Sequence, residues 1–153
     1  MGNSFTELFR NAKNRILVAT FASNIHRIQQ IINASINSGR KVAISGRSMV
    51  NVINVASELG YLTIPDNVLI DIDDIDRYPA NKITIITTGS QGEAMSALTR
   101  MASSSHRKVD IMPGDTVIIS ATPVPGNEKL VSRVINQLFK RGAEVIYEAL
   151  ADV

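Results

Sequence analysis

The sequence predicts an α/β fold, a doubly wound three-layer sandwich with a mainly parallel sheet of five to six strands. Short continuous apolar runs, typical of strands buried on both faces, alternate along the chain with amphipathic helical periods. Four of these runs are followed by a short polar turn and then by a helix, the order found in parallel sheets. With 153 residues and no linker or internal repeat, we expect a single domain over residues 5–153.

The first predicted element is a helix over residues 5–14. Ser4 is placed to cap it, and Glu7 stands three residues later, as in a capping box. Residues 1–4, which precede it, are typical of a short vector-derived leader, and we expect them to lie outside the domain.

Two strand–helix units follow in the first half of the chain. Strands are predicted over 15–21 and 41–45, and helices over 24–38 and 48–59. Gly39 and Gly60 stand where helix terminators are expected. The apolar stripes expected to face inward consist of Ile25, Ile28, Ile31, Ile32 and Ile36 in the first helix, and Val52, Ile53, Val55, Ala56 and Leu59 in the second.

The second half begins with a less regular segment, residues 61–81. It contains a short strand at 68–70 and a loop or single helical turn at 71–76. The remaining predicted elements are a strand over 82–88, a helix over 93–103, a turn through Pro113–Gly114, a strand over 116–120, a helix over 127–141 ended by Gly142, and a strand over 144–147.

Composition excludes several classes of protein. Sixteen Lys+Arg against fourteen Asp+Glu give a net charge of +2, which is not by itself the signature of a nucleic-acid-binding protein. Without cysteine there is neither a disulfide framework nor a thiolate metal site. No apolar run is long enough to span a bilayer, and the N-terminus lacks a signal-peptide pattern. We therefore expect a cytoplasmic protein with no membrane partner.

The loops that follow four of the predicted strands share one design. Each is a polar turn rich in Ser, Asn, Thr or Gly that leads into a helix. They occupy residues 20–24, 45–48, 88–93 and 120–127. In a parallel sheet such turns emerge together at the carboxyl ends of the strands, where helix N-termini present N–H groups without intrahelical acceptors. Phosphate is the ligand best suited to that edge.

The turn Gly89-Ser90-Gln91-Gly92-Glu93 is the sharpest candidate site. Its two glycines allow close approach of the backbone to a ligand, and Ser90 and Gln91 can donate hydrogen bonds. No Lys follows the glycines as in a Walker A loop, and the GxGxxG dinucleotide pattern is absent. The alternative is a turn that serves packing alone.

Arginine and hydroxyl side chains extend this candidate edge. Arg47, next to Ser48, offers bidentate contact to phosphate, or is a solvated surface charge. Ser23 and Asn24 are good helix N-caps, so a structural role is favoured for them. Arg27 and Arg100 can lengthen the basic strip, although each alone is more typical of a surface charge.

Metal-binding and catalytic patterns are weak. Asp71, Asp73, Asp74 and Asp76 fit no EF-hand spacing, and a solvated acidic turn is favoured. His26 and His106, the two histidines, have no metal-ligand spacing. We therefore assign no metal ligand and no catalytic residue. Glu93 can be considered as a general base, but a Glu at a helix start is usually explained by the helix dipole.

Several stretches together are similar to a known family. ATFASNIHRIQQII, GRSM, ITIITTGSQGEAMSALTRMA and GDTVIISATPVPGNE resemble the β-CASP domain of bacterial ribonuclease J, over nearly the whole chain. The resemblance implies a domain of a zinc-dependent ribonuclease, with endonuclease and 5′-to-3′ exonuclease activity in RNA processing and decay. It also implies that RNA lies in a cleft between the β-CASP domain and a metallo-β-lactamase domain, in an enzyme that forms homo-oligomers.

The resemblance implies RNA-facing roles for the matching loop residues, which are Ser23, Asn24, Arg47, Ser48, Gly89, Ser90, Gln91, Gly92 and Glu93. It extends less firmly to residues 120–123. The family's HxHxDH and HxSGH motifs are missing from the sequence. We therefore expect the zinc to be bound by the metallo-β-lactamase domain, no cofactor in this chain, and no activity of the chain alone.

Two alternatives remain open. One is a free-standing nucleotide- or phosphosugar-binding α/β enzyme that uses the same sheet edge, with Glu93 as its base. The other is an interaction scaffold, with apolar patches that promote self-association.

Overall fold

A computed structural model describes residues 2–20, 25–88, 101, 109–121 and 128–149. The centre of the fold is one sheet of six parallel strands, in the order β3-β2-β4-β1-β5-β6. The strands are β1 (Ile16–Thr20), β2 (Lys41–Ser45), β3 (Leu69–Ile70), β4 (Ile83–Thr88), β5 (Thr116–Ala121) and β6 (Glu144–Ala149). The described helices are α1 (Gly2–Asn11), α2 (Ile25–Asn37), α3 (Arg47–Glu58) and α4 (Glu128–Lys140). The predicted α/β sandwich is confirmed.

The order of the strands explains the layers. From β1 the chain moves outward in one direction through α2, β2 and α3 to β3. It then reverses, places β4 between β2 and β1, and continues to β5 and β6 on the other side. Because parallel crossovers are right-handed, the two directions of travel put their helices on opposite faces of the sheet.

A hydrophobic core lies on each face, and the period of two along a strand divides its residues between them. Leu17, Ile85 and Val117 belong to the core that Met101 and α4 cover. Val18, Ile86 and Ile118 belong to the core covered by α1, α2 and α3. The central strands are therefore buried on both faces and mainly apolar, which is why they were recognisable as continuous runs.

Helix α1 corrects the first sequence expectation. It begins at Gly2, so Ser4 lies within the helix and the predicted cap is wrong. It ends at Asn11 rather than Asn14, although Ala12 N still donates to Leu8 O. The chain leaves the helix early because Ala12 O accepts from the Arg40 guanidinium and Arg15 pairs with Asp115.

The inward stripes of α2 and α3 are only partly as predicted. Ile36, Val55 and Leu59 are 37%, 52% and 66% exposed, so placing them in the core was wrong. Val55 is two residues from buried Ile53, so it lies about 200° away around the helix, on the side opposite the core. Ile36 is next to the last residue of α2, and Leu59 follows the last residue of α3. Ile53 and Ala56 are buried as predicted, and Met49 is buried with them.

The terminators and turns are largely as predicted. Gly39, Gly60 and Gly142 have φ of 73°, 85° and 87°, the left-handed conformation expected after a helix. Gly114 has a φ of 90°, in the predicted turn. The aspartate segment forms a 3₁₀ helix, Ile72–Arg77, capped by the Asp71 carboxylate, which accepts from Asp73 N. Among the described residues, no helix has the length and apolarity that crossing a bilayer requires.

Candidate functional site

The four polar loops singled out from the sequence follow four adjacent strands. In the sheet these strands lie side by side in the order β2, β4, β1, β5. Since all are parallel, their carboxyl ends meet at one edge, where Ser45 pairs with Thr87 and Thr20 with Thr88. Three strand spacings of about 4.8 Å make this strip roughly 14 Å wide. We call it the carboxyl edge.

Most of the predicted site residues lie outside the part of the chain that the structure describes. These are Ser23, Asn24, Gly89, Ser90, Gln91, Gly92 and Glu93. Arg47 and the backbone of Ser48 are described, in the first turn of α3. Ser120 and Ala121 are described as the last residues of β5. The anchors of all four loops are therefore placed, because Thr20, Ser45, Thr88 and Ala121 end their strands at the same edge.

The start of α3 is the part of the edge with the clearest geometry. Gly46 has φ 104° and ψ 129°, and no side chain caps the helix. Gly46 O accepts from Val50 N at 3.1 Å, so the helix begins immediately after the glycine. Among the described residues, no atom lies within 4 Å of the position that a Cβ on Gly46 would take, so none of them closes the space outside the turn. The first N–H groups of α3, which have no intrahelical acceptor, thus lie beside an open approach.

Arg47 stands at this helix start with its side chain exposed. A guanidinium there adds a full positive charge to the partial positive charge of the helix N-terminus. It is also the group that contacts two phosphate oxygens at once. The structure is therefore compatible with the phosphate-binding interpretation of Arg47.

Hydroxyl side chains line the base of the carboxyl edge. Thr20, Ser45 and Thr87 are almost completely buried at the ends of β1, β2 and β4. The Thr20 Oγ1 atom is buried with no hydrogen-bond partner among the described residues. A buried polar atom without a partner is uncommon in proteins and calls for an explanation. Thr20 and Ser45 begin two of the loops singled out from the sequence, but neither they nor Thr87 was named as a candidate site residue. The recurrence of Thr or Ser at the ends of β1, β2 and β4 was a usable signal.

Comparison with known proteins decides the family. The model of the ribonuclease J β-CASP domain matches residues 13–138, most of the chain. The chain belongs to that family. The resemblance drawn from the loop sequences is thereby confirmed.

Relatives of this β-CASP domain carry the same name. The chain is 42% identical to ribonuclease J2 of Bacillus subtilis over 147 residues, which is 96% of the chain and 26% of the relative. It is 47% identical to ribonuclease J of Helicobacter pylori over 150 residues, 98% of the chain and 22% of the relative. It is 50% identical to ribonuclease J of Thermus thermophilus over 136 residues, which is 89% of the chain and 24% of the relative. The chain thus spans about a quarter of the length of these relatives.

One arginine of this β-CASP domain is not where the sequence suggested. Arg27, one turn into α2, is 4% exposed, so the expectation of a surface charge is wrong. Its side chain is engaged in an interaction within the protein. It stands beside Ile28 on the side of α2 that faces the sheet, so its aliphatic stem is covered together with the core. Arg100 lies outside the described residues.

The described residues of the domain do not fit a zinc ion. No group of three His, Cys, Asp or Glu side chains within them converges to hold a metal. The acidic segment uses its oxygens internally, since Asp71 caps the 3₁₀ helix and Asp74 pairs with Arg77 at 3.6 Å. His26 is exposed on α2, and His106 is outside the described residues.

Proposed function

We propose that this β-CASP domain binds the phosphate backbone of RNA along its carboxyl edge, and that it forms one wall of the RNA channel in a ribonuclease J-like enzyme. The adjacency of the four loop-bearing strands, together with membership of the ribonuclease J β-CASP family, carries the proposal. The enzyme is proposed to be a zinc-dependent endonuclease and 5′-to-3′ exonuclease of RNA processing and decay.

The chemistry of the edge supports phosphate contacts rather than the reading of bases. Helix N-termini, a guanidinium at Arg47 and short hydroxyl side chains all suit anionic oxygens. Aromatic residues make up only 5% of the sequence, so few rings are available for stacking on bases. We therefore propose that binding is largely independent of RNA sequence.

Hydrolysis is assigned to the rest of the protein. Because the described residues do not fit zinc, we propose that a metallo-β-lactamase domain binds the metal and lies against the carboxyl edge. Zinc there would supply an activated water for cleavage of the phosphodiester. The relatives are about four times as long as the chain, which leaves room for such a domain. We expect the whole protein to form homo-oligomers and this chain alone to be inactive.

Binding of labelled 5′-monophosphorylated RNA to the chain tests the proposal. Arg47→Ala should weaken binding about tenfold, as expected for a lost charge-assisted contact to phosphate. It should also reduce the slope of log affinity against log salt by about 0.7, the value for one phosphate of a single strand.

Arg77→Ala is the matched control. It removes the same charge from an arginine whose side chain is 80% exposed, in the 3₁₀ helix that follows β3, which is not one of the four loop-bearing strands. RNA affinity should remain unchanged in this variant. Equal losses in the two variants would show that binding reflects overall charge only, and would refute a site at the edge.

A further inference from the structure

The opposite, amino-terminal edge of the sheet contains a cavity of about 350 Å³. It lies between the end of α1, the turn after α2 and the start of β4. Its polar lining consists of Arg10, Lys13, Ser38, Arg40, Asn81 and Lys82. Four of these six side chains are cationic, and no carboxylate of the described residues lines the cavity. Since the whole chain carries only +2, this is a local concentration of positive charge.

Arg40 is the most informative of the four cations, because it is only 3% exposed. Its Nη1 donates to Ile83 O at 2.8 Å and its Nη2 to Ala12 O at 3.0 Å. Its Nε is buried with no hydrogen-bond partner in the part of the chain that the structure describes. Burial lowers the pKa of Arg40, the sign of an unfavourable environment for its charge. The guanidinium is therefore held in place by neutral carbonyl groups, and it has no counter-charge among the described residues.

A second buried arginine at the same edge is paired with a carboxylate and serves as a comparison. Arg15, 8% exposed, donates from Nε and Nη2 to the two carboxylate oxygens of Asp115, at 3.2 and 2.7 Å. Buried charges in proteins are normally paired in this way. Arg40 is buried to a similar extent, but no carboxylate of the described residues pairs with it.

The other cations are also free of ion pairs with the described residues. Neither Arg10 nor Lys13 nor Lys82 has a carboxylate within 4.0 Å in that part of the chain. Lys82 Nζ lies beside the turn after α2, 3.3 Å from the position that a Cβ on Gly39 would take. The C-termini of α1 and α2 offset about one charge between them, since each carries roughly half a negative charge. About three positive charges remain.

We propose that this cavity is a second anion site, which binds a small phosphomonoester. A phosphomonoester carries about −1.5 to −2 charges at neutral pH, a better match to the remaining charge than a single carboxylate. The volume is near the lower end of the range for small-molecule sites, about 300–1,000 Å³, so it admits a ligand somewhat larger than a bare phosphate ion. The proposal uses no residue of the carboxyl edge and is independent of RNA binding there.

Nuclear magnetic resonance of the ¹⁵N-labelled chain tests this site directly. The signals to follow are the backbone amide of Gly39 and the side-chain Nε–H of Arg40. Inorganic phosphate, adenosine 5′-monophosphate and adenosine are added separately at constant ionic strength. Both phosphates should shift these signals in a saturable way, with dissociation constants of about 1 mM or lower, and adenosine should not. Tighter binding of the nucleotide than of phosphate would show that the ester group is also accommodated.

Two variants separate a built site from general screening by ions. Lys13→Ala combined with Lys82→Ala removes two exposed cations without touching buried Arg40, and should weaken phosphate binding at least about tenfold. Arg77→Ala, whose side chain does not line the cavity, should leave it unchanged. Linear shifts up to about 10 mM phosphate, equal responses to adenosine, or equal losses in both variants would overturn the proposal.

Discussion

Thr20 and Thr84, in the central strands, are both completely buried, but among the described residues only Thr84 has a partner for its hydroxyl. Thr84 Oγ1 lies 3.0 Å from Ser35 Oγ, which also contacts Ile31 O at 2.8 Å. Thr20 Oγ1, at the carboxyl edge, has none. The sheet therefore contains one buried threonine whose hydroxyl is hydrogen-bonded and one whose hydroxyl is not. A buried hydroxyl without a hydrogen bond lowers the stability of the fold unless a ligand forms that bond.

Replacement of each threonine by valine measures this difference. Thr84→Val should lower the free energy of unfolding by about 1 kcal/mol, because a buried hydrogen bond is lost. Thr20→Val should leave stability unchanged or raise it, because the hydroxyl has no partner to lose. Urea denaturation of both variants provides the comparison. If Thr20→Val is the more damaging change, the hydroxyl has a structural partner and is not available to a ligand.

Gly46 is the residue on which the open approach to α3 depends. Its φ of 104° is strained for any residue with a Cβ, although the Cβ itself would meet no atom of the described residues. Gly46→Ala should therefore lower stability by about 1–2 kcal/mol, and it should also weaken RNA binding by displacing the first turn of α3.

Gly60 provides the matched control for that substitution. It stands just after the end of α3, its φ is 85°, and a Cβ there would also meet nothing within 4 Å. Gly60→Ala should cost similar stability in thermal denaturation and leave RNA affinity unchanged. Loss of affinity in both variants would mean that destabilisation of α3, rather than the geometry at the edge, weakens binding.

Among the structural elements, β1 and β5 are joined at their starts by an ion pair. The Arg15 guanidinium and the Asp115 carboxylate are both buried, and Asp115 also accepts from Met112 N at 2.9 Å. The same carboxylate therefore fixes the turn at residues 112–115 and the alignment of two strands, since Arg15 O accepts from Thr116 N. Removal of one partner leaves the other charge buried and uncompensated.

Asp115→Asn should consequently lower the free energy of unfolding by about 3–5 kcal/mol in urea denaturation. Asp74→Asn is the control, because Asp74 pairs with exposed Arg77 at 3.6 Å on the surface. Surface pairs contribute little, so that change should stay within about 0.5 kcal/mol. A small effect of Asp115→Asn would mean that the backbone hydrogen bonds alone hold the two strands in register.

At the scale of the whole molecule, we predict how the affinity for RNA depends on salt concentration. A 14 Å strip with one described arginine neutralises only a few phosphates, so RNA affinity of the chain should be weak. With about three phosphates neutralised, affinity should fall about twentyfold between 50 and 200 mM salt. Filter binding or anisotropy with 5′-monophosphorylated RNA gives the slope. Tight binding that is insensitive to salt would contradict a phosphate-based contact.

Most elements were predictable because their signals are local. The apolar runs of β1, β2, β4 and β5 and the glycines after the helices each depend on a few neighbouring residues. The errors arose at residues whose burial depends on contacts with distant parts of the chain. Leu59 fits the helical period, but it is 66% exposed. Arg27 has the charge of a surface residue, but it is buried because it lies on the side of α2 that packs against the sheet. The start of α1 was missed because Ser4 offered a cap that the fold does not use.

The sequence by itself determined the class of fold, the family and the polar character of the four loops, because strand runs, helical periods and turn residues are properties of short segments. Only the tertiary structure decided that β4 inserts between β2 and β1, which makes the four loop-bearing strands neighbours. Only it showed Thr20 and Arg40 to be buried with unsatisfied polar atoms. Strand order and the pairing of buried groups depend on contacts between residues far apart in the chain, and such contacts leave no periodic signal in the sequence.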